Sequence, residues 1–170
     1  MTTTDEFDPR RVLDVLAHHG VRFVVIGGVA ANALGSPMIT HDLDICYARD
    51  GGNLKRLATA LHELKAKLRG VPDDVPFVLD AKTLKAGDRF TFTTTAGNLD
   101  CLGIPAGTDG FAGLNERAMR YAISGRRVAI ASIDDLIAMK RAAGRPKDLI
   151  AVENLAALKE EREREGGSHE

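Results

Sequence analysis

Apolar and polar positions along this chain follow two periods, and the switches between them predict its elements. Val12, Leu13, Val15 and Leu16 recur at helical spacing behind Asp8-Pro9, a capping residue and a first-turn proline, and Gly20 ends the predicted helix. His18 and His19 fall at that helix end, where a cation suits the dipole, so a structural role is expected of them. Phe23 to Ile26 is an unbroken apolar run, read as a buried strand closed by Gly27-Gly28. A short Ala-rich helix then stops at Gly35-Ser36-Pro37, and Asp42-Leu43-Asp44-Ile45 alternates as a strand. After a turn at Arg49 to Gly52, Asn53 is expected to cap a helix carrying Leu54, Leu57, Leu61, Leu64 and Leu68 on one face.

The second half repeats the alternation. Gly70 to Pro76 reads as a loop in which Asp73 and Asp74 are solvated. Phe90 and Phe92 alternate with Thr91, Thr93 and Thr95 in a half-buried strand, Ala96-Gly97-Asn98 turns, and the next strand carries Asp100 between Leu99 and Cys101. Met119 to Ile123 and Arg127 to Ala131 form a predicted hairpin hinged at Ser124-Gly125. Ser132 caps a helix that ends at Gly144, and Arg145-Pro146-Lys147-Asp148 opens the last one. From Lys159 the sequence is a charged helix end expected to fray, which gives one domain over 1–160 and a tail over 161–170.

Chemistry enters where these elements meet. Residues two apart in a strand share a face roughly 7 Å apart, so Asp42 and Asp44 project together while Leu43 and Ile45 enter the core. Two like charges this close are relieved by protonation of one or by a divalent cation, and oxygen ligands favour Mg²⁺ or Mn²⁺ over zinc. Gly27 and Gly28, at a strand exit where a helix begins, let the backbone approach an anion. Cation face and anion cradle side by side suit a metal-chelated nucleoside triphosphate. Lys140 follows Ile133, Leu136 and Ile137 on an apolar stripe and must either snorkel out or meet an anion.

An apolar strand, Gly-Gly, an interval of about a dozen residues and Asp-x-Asp resemble the signature of the DNA polymerase β-like nucleotidyltransferases. Within that superfamily the stretch from Arg22 to Ala48 is most similar to the small bacterial AbiEii/MenT-like proteins, many of them toxin–antitoxin or phage-defence components. Asn98 to Leu102 resembles the strand with the third carboxylate, and Ile133 to Leu155 the C-terminal helical motif, so the likeness spans residues 20 to 158. It implies an α/β (α+β) fold, a short mixed twisted sheet flanked by helices mainly on one side. It also implies transfer of a nucleoside monophosphate from a triphosphate to an acceptor hydroxyl, with Asp42, Asp44 and Asp100 holding two ions and Asp100 helping to deprotonate the acceptor. Gly27, Gly28, Ser36, Lys140, Arg145 and Asp148 fall on the nucleotide side; from its own surroundings Asp148 could equally cap its helix and pair with Lys147 or Arg145. Two departures weaken the local anion grip: Val29 stands where relatives often carry Ser or Thr, and Met38 where they often carry Arg. The implied acceptor is the end of a tRNA; the alternatives are a partner protein's hydroxyl, or a degenerate module that binds nucleotide or a cognate toxin or antitoxin protein without turnover.

Composition narrows little. The chain has 170 residues, 44% hydrophobic and 28% charged, with net charge −1, enough for one domain with a real core and no overall pull toward nucleic acid. No basic, apolar leader opens it and no run approaches a membrane span, so a cytoplasmic protein is expected, with Cys46 and Cys101 as reduced packing residues and no zinc site. The distribution of charge is more informative: residues 115–147 hold eight basic side chains against three acidic ones, a patch suited to polyphosphate or an RNA backbone unless salt bridges consume it.

Overall fold

A computed structural model describes residues 6–123 and 125–167. The strands are β1 Phe23–Ile26, β2 Asp42–Tyr47, β3 Lys67–Leu68, β4 Arg89–Thr94, β5 Gly97–Leu102, β6 Met119–Ile123 and β7 Arg126–Ile130, and they form one sheet in the order β3-β4-β5-β2-β1-β7-β6. The sheet is mixed: β2–β5 and β1–β7 run parallel, the other pairs antiparallel. Flanking it are α1 Pro9–His18, α2 Gly27–Ala33, α3 Gly51–Glu63, α4 Ala81–Ala86, α5 Phe111–Arg117, α6 Ile133–Ala143 and α7 Pro146–Gly167. No described helix is long and apolar enough to cross a membrane.

The strongest periodic signals become the elements they predict. Asp8 accepts from Arg11 N to cap α1, and Val12, Leu13, Val15 and Leu16 are all buried under the sheet's apolar face. Leu43, Ile45, Leu99 and Cys101, fully buried, continue that core from the central strands. Both cysteines are free and buried, and burial pushes the Cys46 thiol up to about 12, so they are packing residues.

Three expectations change. Asp50, not Asn53, caps α3 by accepting from Asn53 N, while the buried Asn53 side chain donates to Arg22 O and Ala48 O and accepts from Arg22 N, tying α3 to the ends of β1 and β2. That helix stops at Glu63 because Lys65 takes φ +52°, and Leu68 belongs to β3 instead. At the other end of the chain α7 runs unbroken to Gly167, anchored by Arg162, which donates to Leu34 O at 3.0 Å and to the Tyr121 hydroxyl at 2.9 Å. The predicted hairpin is present as β6 and β7, with its hinge residue Ser124 outside the described residues.

Candidate active site

Strand register assembles the acidic face. On the parallel neighbours β2 and β5, Asp44 lies opposite Asp100 and Asp42 opposite Asn98. Alternation that buries the four core side chains just named leaves these on the other face. Asp42 accepts from Asn98 Nδ2 at 3.1 Å, and Asp100 from Arg69 Nη2 at 2.8 Å. Burial, then the Asp100 charge and hydrogen bond, then Asp42, raise the Asp44 carboxyl to about 7, with Lys140 pulling the other way.

Glycine is required beside this pair. Gly27 has φ +69°, and a Cβ there would collide with Asp44 Oδ2, so the start of α2 can lie against the carboxylate only without a side chain. At Gly28 a Cβ would meet Thr40 Oγ1 at 2.7 Å, which brings the 35–41 loop over the second glycine. Thr40 in turn donates to Asp42 O at 3.2 Å, and Ser36 Oγ accepts from Met38 N within the same loop. Met38 and Ile39 stand exposed at its tip.

The C-terminal helices supply the cations. Asp148, its side chain 1% exposed, accepts from Arg145 Nε at 2.6 Å, Nη2 at 3.2 Å and backbone N at 3.2 Å, and from Lys140 Nζ at 3.5 Å. These contacts, the Arg145 hydrogen bond first, hold the Asp148 carboxyl down at about 2. Asp148 thus caps and pairs at the start of α7, as its own surroundings allowed, and it also contacts Lys140, whose charge reaches Asp44.

Oxygen donors of this kind suit a hard divalent cation, and the Asp100 and Asp42 charges that join burial in raising Asp44 are the repulsion one would relieve. Among the described residues no group of three ligating side chains is found; Asp42 bonds Asn98, and Asp100 bonds Arg69 while lying against Asp44. The residues that fit such a cation are Asp44 with the carboxylates on either side of it.

The basic patch of residues 115–147 divides in space. Lys140 acts on the acidic face while Arg145 is taken up by Asp148; Arg117 is consumed by Asp135 at 2.8 Å; Arg120, Arg126 and Arg127 line a cavity of about 380 Å³ with Arg22 and Phe111 at the start of β1. A second cavity of about 470 Å³ lies between α6 and α7, and neither is lined by Asp42, Asp44 or Asp100. Arg69, Thr40 and Asn98 escaped the sequence. Arg69 carries no motif signal, whereas Asn98 stands two residues before Asp100 on the same strand face and Thr40 two residues before Asp42 in the loop that leads into β2.

A glycine turn at the end of one strand thus lies against paired carboxylates on the next two. The fold that carries them is shared with solved nucleotidyltransferase structures. The lincosamide antibiotic adenylyltransferase LnuA, with lincomycin bound, superposes with a TM-score of 0.58 at 13% identity over 91% of this chain and 99% of that one. ANT(2'')-Ia in complex with adenylyl-2''-tobramycin gives 0.58 at 17% identity over 92% and 89%. A Thermotoga maritima protein described as a nucleotidyltransferase gives 0.51 at 15% identity over 96% and 99%. At these identities the likeness is one of fold. No family model and no curated protein sequence matches the chain.

Proposed function

We propose that this chain is a cytoplasmic nucleotidyltransferase of the AbiEii/MenT-like kind, which moves a nucleoside monophosphate from a triphosphate to an acceptor hydroxyl and releases pyrophosphate. The observation that carries the proposal is Asp44 placed against both Asp100 and side-chain-free Gly27, with Lys140 charge directed at the same point. Asp42 and Asp44 would hold a Mg²⁺ or Mn²⁺ ion, which when bound supplies charge neutralisation on the phosphates. Gly27 and Gly28 admit the triphosphate closely, Ser36 borders it, and Lys140 and Arg145, steadied by Asp148, meet its negative oxygens. Asp100 stands on the acceptor side, where it takes the hydroxyl proton as the new oxygen–phosphorus bond forms.

The acceptor best supported is a tRNA end. By strand alternation Lys67, Arg69 and Arg89 stand on the same sheet face as Asp100; Lys67 pairs with Asp73 at 3.7 Å and Arg69 with Asp100 itself, so Arg89 is the cation there that would favour a phosphate backbone. A protein hydroxyl, with a cognate toxin or antitoxin as partner, is the second acceptor to try, and a small hydroxylated compound of the kind the antibiotic adenylyltransferases act on is the third.

Thermal melting with Mg²⁺ or Mn²⁺ and each nucleoside triphosphate tests the site. A ligand at about 100 times its Kd stabilises by about 2.7 kcal/mol. For a domain of this size that is a rise of roughly 5–10 °C. Wild type is expected to rise with metal and triphosphate together, and Asp44→Asn to stay flat. Unchanged melting of the wild type with every triphosphate would remove the proposal.

A further inference from the structure

We propose that Arg69 is a resident cation at Asp100, so that the triphosphate-loaded protein takes one divalent ion rather than two. The inference rests on the nucleotidyl-transfer reading and sharpens it, since the resemblance to two-ion relatives implies a second ion at this carboxylate.

The placement is built by the sheet. β3 pairs with β4 through Lys67 and Leu68, and Arg69 extends the ladder by donating its backbone N–H to Thr91 O at 2.9 Å. Thr91 is the register partner of Asp100, so Arg69, Thr91 and Asp100 form one row across three strands on the acidic face. From there Nη2 donates to Asp100 Oδ1 at 2.8 Å and to Phe92 O at 2.8 Å, which uses both of its protons. The side chains of Arg69 and Asp100 are 30% and 18% exposed, so this is an ion pair screened less than a surface one. Gly70, at φ +75°, turns the chain away immediately afterwards and fixes the arginine at the end of its strand.

Those contacts make the guanidinium hard to displace. Its fork holds a carboxylate and a ladder carbonyl at once, and moving it would leave the Asp100 carboxylate without its cation. An ion added at Asp100 would meet a fixed positive charge at hydrogen-bond distance from its ligand. Asp42 differs: its partner is the neutral amide of Asn98, which leaves its charge uncompensated and free to act with Asp44. Asp44 lies between the two, against Asp100 and on one face with Asp42, so a metal-bound triphosphate draws on Asp42 and Asp44 while Asp100 keeps the organic cation that the chain supplies.

The test counts ions. Full-length protein is saturated with an α,β-methylene nucleoside triphosphate, each of the four bases being tried, and bound Mn²⁺ is counted by electron paramagnetic resonance. One ion per chain is expected in the wild type and in Arg69→Lys, and two in Arg69→Met, which keeps the length and removes the charge. Two ions in the wild type overturn the inference and leave nucleotidyl transfer standing. One ion in a folded Arg69→Met, checked by circular dichroism, also overturns it; if that variant does not fold, the wild-type count decides alone. No bound ion in the wild type with any analogue removes the inference together with the proposed function.

Discussion

Asp44 carries two opposite demands, and both are measurable without turnover. Its carboxyl titrates at about 7 in the folded chain. The unfolded value is about 3.9. Between those values the folded state holds a proton that the unfolded state has released, so stability of the metal-free protein falls as pH rises from about 4 to about 7 and levels off above. Urea unfolding in EDTA across that range is expected to show the fall in wild type and not in Asp44→Asn. Asp148 works in the other direction and in another window: held at about 2, it contributes stability above about 4 that is lost as pH drops toward 2. Gly27 gives a second test at this scale. Gly27→Ala forces a side chain into the left-handed region, a cost of roughly 1–2 kcal/mol, and drives its Cβ into Asp44. Gly51→Ala, at the first position of α3 with open space around it, is expected to change stability by less than about 0.5 kcal/mol, and paired urea titrations separate the two.

At the scale of elements, α6 and α7 act as a unit through Asp148. Lys140→Ala leaves Asp148 held by Arg145, so the fold is expected to persist while triphosphate affinity falls roughly tenfold, the worth of one charge-assisted hydrogen bond. Fluorescent-nucleotide titration reads that change, and equal affinity in the two proteins would show that Lys140 only snorkels. Long periodic elements were legible in the sequence because their signals were redundant: α1 has a cap, a proline, four periodic apolar residues and a terminal glycine. Short ones were not. α4 has six residues and α5 seven, the latter opened by Gly110 without a side-chain cap and interrupted by Gly113, so no period could establish itself. β3 was hidden because Leu68 falls in helical register with Leu61 and Leu64; only the φ +52° of Lys65 ends the helix, a tertiary choice that no pattern announces. With β3 misread, Arg69 was out of reach, and so was its hold on Asp100. Asp42 and Asp44 were legible as a pair because a spacing of two puts them on one face, whereas the approach of Gly27 to Asp44 depends on the register of β1 and β2, and the opposition of Asp44 and Asp100 on that of β2 and β5.

For the whole molecule, the division of basic residues decides where an acceptor can lie. Arg120, Arg126 and Arg127 gather at the start of β1, while the carboxylates gather beyond its end, so sequence proximity to Lys140 misplaced them. Arg89→Glu, on the acidic face, is therefore expected to weaken tRNA binding and to lower its salt dependence, and Arg127→Glu to do neither; filter binding at two salt concentrations distinguishes them. The central claim is transfer itself, and the direct measurement is incubation of the full chain with Mg²⁺, each α-³²P-labelled nucleoside triphosphate and total tRNA, followed by quantitation of acid-insoluble label and released pyrophosphate. Label is expected to move from one or more triphosphates onto tRNA with stoichiometric pyrophosphate, and to fall by several orders of magnitude in Asp44→Asn and in Asp100→Asn, while Asp100→Asn still binds the triphosphate. Absence of label and of pyrophosphate with tRNA, with protein and with hydroxylated small molecules alike would contradict the account.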